Sequence, residues 1–493
     1  MLFNSIGFAI FLPVAFLLYW FMPQKVRQLI LLALSLCFYM FGGPAYVLLV
    51  IAAALVTYTA ARAVEKETDE KKKKRILILA LVLCIGMLVF FKYFNFAGEA
   101  VADIFRLFSV PVQPLTTKLL MPAGLSFFTF QAVGYCIDVY RGKIPAEKSF
   151  PKLLLFVSFF PQIMAGPIGR AEQLLPQLDC KREFDESRAS EGLRQMLWGF
   201  SKKLLIADTL ARYVNIVFDN AQEFGFFGLT LIMATVLYTF QIYCDFSGYS
   251  DIAIGTAKLF NIDLMKNFNS PYFARSVKEF WSRWHISLST WFRDYVYIPL
   301  GGNRCSEGRN ALNLMITFLL SGLWHGADWT FVIWGGLHGI YQVTENFCHR
   351  HLAKKEYRTM KERDIPRSRL WGICHGVLTF ALVSFAWSFF RANSVSDALY
   401  IASHMPRGLG HPVNSYIMML NNMVLDNRKL LILGIYILVL MTVDYFALKK
   451  DLYQAMGRWK LPLRWAVYVA LTTFVIVMSL NGGTTQQFIY FQF

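Results

Sequence analysis

The stretch Leu319–Gly339, LLSGLWHGADWTFVIWGGLHG, sets two histidines, His325 and His338, in an apolar, glycine-rich run otherwise compatible with lipid. Moving an imidazole out of water without a hydrogen-bond partner costs on the order of a few kcal/mol. An ionisable group inside such a segment is therefore a functional candidate by default. The surrounding Gly322, Gly326, Gly335, Gly336 and Gly339 weaken a regular helix and permit close approach of another backbone or a ligand. His325 and His338 lie thirteen residues apart, roughly 20 Å along an unbroken helix, so they share a small site only if the glycines break that helix. Two readings of His325 stand together: an acid–base group, or a side chain tying helices together for about 1 kcal/mol. His325, inside the Trp324-His325-Gly326 triplet, ranks ahead of His338.

The rest of the chain reads as housing for this stretch. Its 493 residues are 56% hydrophobic, above the roughly 45 to 50% of a soluble domain, with mean hydropathy +0.42. This indicates an all-α polytopic membrane protein. The formal charge of +17, from 49 Lys and Arg against 32 Asp and Glu, is clustered in short loops between apolar runs. That pattern suits orientation and anionic lipid contact better than nucleic acid. The eight cysteines are scattered without a C-x-x-C pair, so neither a disulfide framework nor a zinc site follows. Cys348-His349-Arg350-His351 comes nearest to a metal cluster, but it sits in a basic loop without further ligands at a recognised spacing. No metal is expected.

Apolar runs at Ile6 to Phe21, Leu29 to Phe41, Ala45 to Ala61 and Ile76 to Phe91 approach the ~20 residues that cross a bilayer. The first has no basic segment before it and no small-residue cleavage site after it, so it is taken as a retained span. EKETDEKKKKR, Glu65 to Arg75, reads as a cytoplasmic loop by the positive-inside rule, which puts the N-terminus outside. From Met121, MPAGLSFFTFQAVGYCIDVY and FVSFFPQIMAGPIGR mix Pro, Gly and polar residues into apolar segments, as broken or re-entrant helices do. Irregular backbone at membrane depth needs cover from protein or a water-filled cavity.

Asp179 to Lys203 reads as a cytoplasmic surface helix or loop. In CDFSGYSDIAIG, Asp245 and Asp251 either line a polar passage or mark an aqueous helix end. Glu279 to Arg304, too charged to span and too aromatic for a plain loop, reads as an interfacial amphipathic helix. Its Arg283 and Arg293 would hold the polar side and grip either an anionic donor or a lipid headgroup. His349 to Leu370 is a second basic, cytoplasmic loop. Spans at Ile373 to Phe390, Leu430 to Leu448 and Trp465 to Leu480 then place NGGTTQQFIYFQF outside. No internal repeat or soluble-domain linker appears, so the chain is one membrane domain. It divides into an N-terminal bundle (1–115), a core (116–348) and C-terminal helices with a tail (349–493).

Four blocks carry a family resemblance: MLFNSIGFAIFLPVAFLLYW at the start, SFFPQIMAGPIGR at Ser158 to Arg170, FWSRWHISLSTWFRDYVYIPLGG at Phe280 to Gly302, and LSGLWHGADW at Leu320 to Trp329. The sequence resembles a membrane-bound O-acyltransferase of the bacterial surface-polysaccharide branch, which includes alginate and peptidoglycan O-acetylation subunits and, more distantly, teichoic acid D-alanyl transferases. The resemblance implies a curved helical bundle around a central funnel in the bacterial cytoplasmic membrane. It implies His325 as the catalytic histidine and His285 as a second histidine near the passage.

Acyl transfer from a thioester to a hydroxyl requires a base for the hydroxyl proton, and neutral imidazole suits a pH near 7. His325 is the expected base, and His285, Asn303 and Trp324 are unranked candidates for the oxyanion partner. No G-x-S-x-G motif is present, and the cysteines lack a basic partner in view. Direct or tyrosine-relayed transfer is therefore favoured over a serine acyl-enzyme.

The expected donor is acetyl-coenzyme A or another acyl thioester, with no bound cofactor. The expected acceptor is a cell-surface polysaccharide, reached directly or through an extracytoplasmic acyltransferase partner. The tail FIYFQF, Phe488 to Phe493, suits an aromatic-belt anchor. It also resembles the C-terminal aromatic-tyrosine motif implicated in acyl carriage in related systems, which makes Tyr490 a candidate relay if the tail folds back to His325. Broken helices with intramembrane Asp and His also describe a transporter or flippase, but two matching halves do not appear.

Overall fold

The computed structural model describes residues 1–110, 112–117, 121–179, 181–351, 369–481 and 487–491. The described secondary structure is helical throughout and contains no strand. Six helices are long and apolar enough to cross a membrane: Pro44–Lys66, Glu70–Arg106, Leu229–Leu259, Leu370–Arg391, Asn427–Ala447 and Leu461–Ser479. Large apolar side chains such as Ile6, Phe21, Leu48 and Leu79 stand outward in the N-terminal helices, as they do where lipid replaces water. The chain divides into two compact units: Met1–Gly199 with Tyr249–Lys266, and Phe200–Gly248 with Asn267–Phe493.

In the first unit, α1 (Ile6–Phe21), α2 (Gln24–Met40), α3 (Val47–Lys66) and α4 (Glu70–Leu107) match the expected apolar runs. Ser5 caps α1 by accepting from the Phe8 N–H at 3.2 Å. The basic stretch 65–75 is mostly helix rather than loop. The lysines occupy the first turns of α4, behind an Asp69 cap that accepts from the Lys71 N–H at 2.8 Å.

The segments after Met121 are short. α5 (Leu125–Tyr140) and α6 (Phe150–Ser158) have 16 and 9 residues, and both are almost wholly buried. Neither exposes its ends to lipid, the condition under which broken helices are tolerated at membrane depth. α7 (Ala171–Asp179) and α8 (Glu186–Ser201) follow.

In the second unit, the π-helical turn Lys202–Ala207 continues directly into α9 (Asp208–Phe218). Lys202 and Lys203 are 4% and 1% exposed, so the expected polar surface ends before them. α10 (Leu229–Leu259) brings Asp245 to 3% exposure, and this carboxylate is a buried group rather than an aqueous helix end.

The expected interfacial helix at 279–304 is broken into α11 (Val277–Arg283), α12 (Ile286–Phe292) and a π turn, Arg293–Tyr297. The break falls at His285, whose φ of 43° is left-handed. Its aromatic residues turn inward: Phe280, Trp284 and Trp291 are all buried. The amphipathic pattern marked a buried joint because the aromatic side found protein to pack against.

α13 (Glu307–His325) and α14 (Trp329–His351) form a tight antiparallel hairpin. A Cβ on Gly322 would stand 2.3 Å from the Phe331 carbonyl oxygen, and one on Gly335 would stand 2.4 Å from that of Phe318. These two glycines are what let the helices touch. α14 also packs on α15 (Arg369–Arg391). The remaining helices are α16 (Val395–His404), α17 (Pro412–Asn422), α18 (Asn427–Ala447), α19 (Leu452–Gly457) and α20 (Leu461–Asn481). α20 lies against the Lys202–Ala207 turn. Most of the expected basic loop His349 to Leu370 lies outside the described residues. His349, Arg350 and His351 form the last turn of α14, facing Glu345 and Glu307.

Candidate active site

His325 is the last residue of α13, where the chain leaves the helix through Gly326 and re-enters at Trp329. Asp328 caps the new helix by accepting from the Thr330 N–H at 2.8 Å. The imidazole is 5% exposed. Its ring neighbours are Trp324 at 4.8 Å, Trp334 at 4.9 Å, Phe390 at 5.3 Å and Tyr490 at 5.7 Å. The Tyr490 hydroxyl oxygen lies 3.4 Å from His325 Nδ1. Thus the tail's phenol and the hairpin's imidazole, 165 residues apart in sequence, are in contact.

The Tyr490 ring lies over Phe246, centroids 4.1 Å apart, with Trp324 at 6.2 Å and His285 at 5.9 Å. Desolvation raises the phenol well above its ordinary pKa, so it holds its proton until a base takes it.

His285 is fully buried, 4.6 Å from Phe246 and 6.1 Å from Trp324, ring to ring. Its Nδ1 lies 3.1 Å from Asn267 Oδ1, which also accepts from the Ser287 N–H at 3.2 Å and the Ser287 hydroxyl at 2.9 Å. The Ser287 N–H fixes which amide atom faces this cluster, so His285 Nδ1 is assigned as the donor. Burial pushes its pKa well below the ordinary value, leaving a neutral ring whose Nε2 carries a lone pair. Its bonding therefore suits an acceptor, not an oxyanion donor.

His338 lies on α14, with Nδ1 accepting from the Trp281 N–H at 3.2 Å. Trp334 stands between it and His325, 5.1 Å from the one and 4.9 Å from the other. The glycine-bearing hairpin does break the helix, yet an indole separates the two imidazoles.

The chain shares its fold class and its motifs with proteins of known name. Residues 144–376 match the family model of MBOAT, the membrane-bound O-acyltransferase family. Over 401 residues the chain is 38% identical to a probable alginate O-acetylase of Pseudomonas aeruginosa, covering 81% of this chain and 73% of that protein. The chain belongs to the membrane-bound O-acyltransferase family. It is also 35% identical over 437 residues to the peptidoglycan O-acetyltransferase of Helicobacter pylori, covering 82% and 80% of the two chains. A teichoic acid D-alanyltransferase of Bacillus subtilis is 28% identical over 318 residues, 61% of this chain and 78% of that one. The protein is thus a multi-pass membrane O-acyltransferase, and the transporter alternative loses its ground.

Within this O-acyltransferase, His325, His285, Trp324 and Tyr490 are brought together, and three other expected site residues are not. Arg283 is ion-paired with Glu279 on its own helix at 2.6 Å. Arg293 is exposed and bonded to the neighbouring Asp294 at 2.8 Å, and Asn303 is exposed in the turn beyond. Their residue types suited anion or oxyanion contact, but the π turn points this segment's polar residues away from His325.

Sequence reasoning missed Asn267, which carries no motif signal of its own. It also missed Lys203, which the adjacent charges disguised as surface. A cleft of about 380 Å³ lies beside the site, lined by Asn215, Asp219, Asp328, Arg391 and Asn393 and reaching Phe390 and Ile489. It opens at the ends of α13 and α15 remote from His351 and Arg369.

Proposed function

We propose that this O-acyltransferase carries an acetyl group from acetyl-coenzyme A through Tyr490 to hydroxyls of an extracytoplasmic polysaccharide, with His325 as general base. The observation that carries the proposal is the 3.4 Å approach of the Tyr490 hydroxyl to His325 Nδ1 within a buried aromatic enclosure. A phenol with an undisturbed pKa near 10 is a weak nucleophile at neutral pH, and an adjacent base is what activates it. His325 takes the phenolic proton as oxygen attacks the thioester carbonyl. The C–S bond breaks, the sulfur leaves as a thiol with that proton, and an aryl ester remains on Tyr490.

In the second half the acceptor hydroxyl attacks the ester carbonyl. His325 takes its proton and returns it to the departing phenolate. An aryl ester has a better leaving group than an alkyl ester, which suits a transient carrier. His285, Asn267 and Trp324 hold the enclosure around the phenol.

The basic stretches at 65–75 and 349–370 support a cytoplasmic face there and extracytoplasmic termini, in a bacterial inner membrane. On that orientation the polar cleft beside His325 opens outward and suits an acceptor hydroxyl, delivered by a polysaccharide or an extracytoplasmic partner enzyme. The names of the alginate and peptidoglycan relatives support a polysaccharide acceptor. The test is mass spectrometry of the C-terminal peptide after purified full-length protein is mixed with acetyl-coenzyme A. A 42 Da adduct, the mass of one acetyl group (~42 Da) replacing a proton, is expected on Tyr490 and is absent in His325→Ala. An unmodified Tyr490 alongside turnover of the thioester would overturn the relay.

A further inference from the structure

We propose that Lys203 and Asp245 form a latch that recognises the main chain of the C-terminal segment and sets the register in which Tyr490 meets His325. The two side chains are 1% and 3% exposed and are ion-paired to each other. Lys203 also pairs with Asp208 at 2.9 Å. One ammonium thus serves two carboxylates, and a buried carboxylate with spare lone pairs needs further donors. The tail supplies one: the Ile489 N–H donates to Asp245 Oδ2 at 2.8 Å. Lys203 Nζ in turn donates to the Gln487 carbonyl at 3.5 Å and stands 4.5 Å above the Phe488 ring.

Consecutive residues of α10 read consecutive residues of the tail. Asp245 holds the Ile489 amide and Phe246 stacks on Tyr490. A shift of the tail by one residue would put Ile489 or Phe491 where the phenol stands. The lysine reaches the tail from the π-helical turn Lys202–Ala207, an irregularity often found at functional sites. Its neighbour Lys202 turns instead to the Ser247 hydroxyl at 2.8 Å.

An aromatic-belt anchor would bury ring surface in lipid but would not join main-chain amides to a buried ion pair. Phe488 and Ile489 are 1% and 5% exposed against protein. Lys203 and Asp245 are positioning residues, for they touch the carrier segment and not the reacting atoms. Their purpose rests on the relay reading of Tyr490, but the latch can be tested without acyl transfer.

Purified full-length protein carrying Ile489→Cys, with its exposed native cysteines replaced and buried Cys244 kept, is treated with a maleimide. The reporter is expected to label slowly, and at least ~10-fold faster when Asp245→Ala or Lys203→Met is added, while Cys244 stays protected. Ser247→Ala, which touches only the Lys202 bond, is expected to leave the reporter slow.

Equal labelling rates with and without the latch substitutions would overturn the proposal. If Cys244 also becomes reactive, so that the substitution has opened the core, Ile489→Pro decides the matter with Phe488→Cys as reporter. It removes one tail N–H and leaves the cluster intact. Faster labelling then sustains the latch, and unchanged labelling refutes it. An acylation assay on the same variants separates the two ideas: a released tail with normal transfer would sink the relay and leave the latch standing.

Discussion

Replacing Tyr490 with Phe removes one oxygen and leaves the ring on Phe246, the Ile489 amide on Asp245 and the Phe488 ring under Lys203. The lost contact is one hydrogen bond of 3.4 Å, worth about 0.5–1.5 kcal/mol of net stability. If the hydroxyl served only to anchor the tail, transfer would fall by no more than ~10-fold, since about 1.4 kcal/mol is one decade. If it is the acyl carrier, the first nucleophile is gone. Polymer acetylation then falls by at least ~10³-fold, or about 4 kcal/mol of lost transition-state stabilisation. The assay is acetate released by mild alkali from purified cell-surface polymer, paired with thermal unfolding of the detergent-purified protein. Acetylation within ~10-fold of wild type in a normally stable Tyr490→Phe protein would refute the relay and leave the tail as an anchor.

His325→Ala is expected to lower transfer by about 10²- to 10⁴-fold with expression retained; near-normal transfer would remove it as the base. Asn267→Ala strands the buried donors of His285 and Ser287, and is expected to cost about 1–3 kcal/mol, read as a lowered unfolding midpoint. Gly322→Ala drives a methyl into the Phe331 carbonyl, and is expected to destabilise by on the order of 3 kcal/mol and to abolish transfer with it. Unchanged thermal stability would show that the hairpin can open at no cost. Lys72→Cys is expected to resist an impermeant thiol reagent in intact cells and to react once the membrane is permeabilised, whereas outside labelling would invert the topology.

Much of the architecture was legible in the sequence because bilayer physics writes itself into composition. The N-terminal apolar runs appear as α1 to α4, and the Pro- and Gly-rich segments after Met121 are short, buried helices. His325 was legible because an imidazole in an apolar, glycine-rich run is costly enough to need a reason. The glycines at 322 and 335 foretold close packing, though not which backbone would approach.

Charge misled where burial was paired. Lys202 and Lys203 look like the end of a surface helix, yet bonds to Ser247, Asp208 and Asp245 carry them inside. The left-handed turn at His285 divided what hydrophobic patterning joined into one interfacial helix, and left Arg283, Arg293 and Asn303 away from His325. Local sequence sets which segments leave water, because that depends on each side chain's own transfer energy. Which imidazole meets which phenol across 165 residues, and which carboxylate holds the tail's amide, depends on long-range pairing. Only the tertiary structure could decide these, because main-chain groups are the same in every residue and carry no mark in the sequence of the partner they will find.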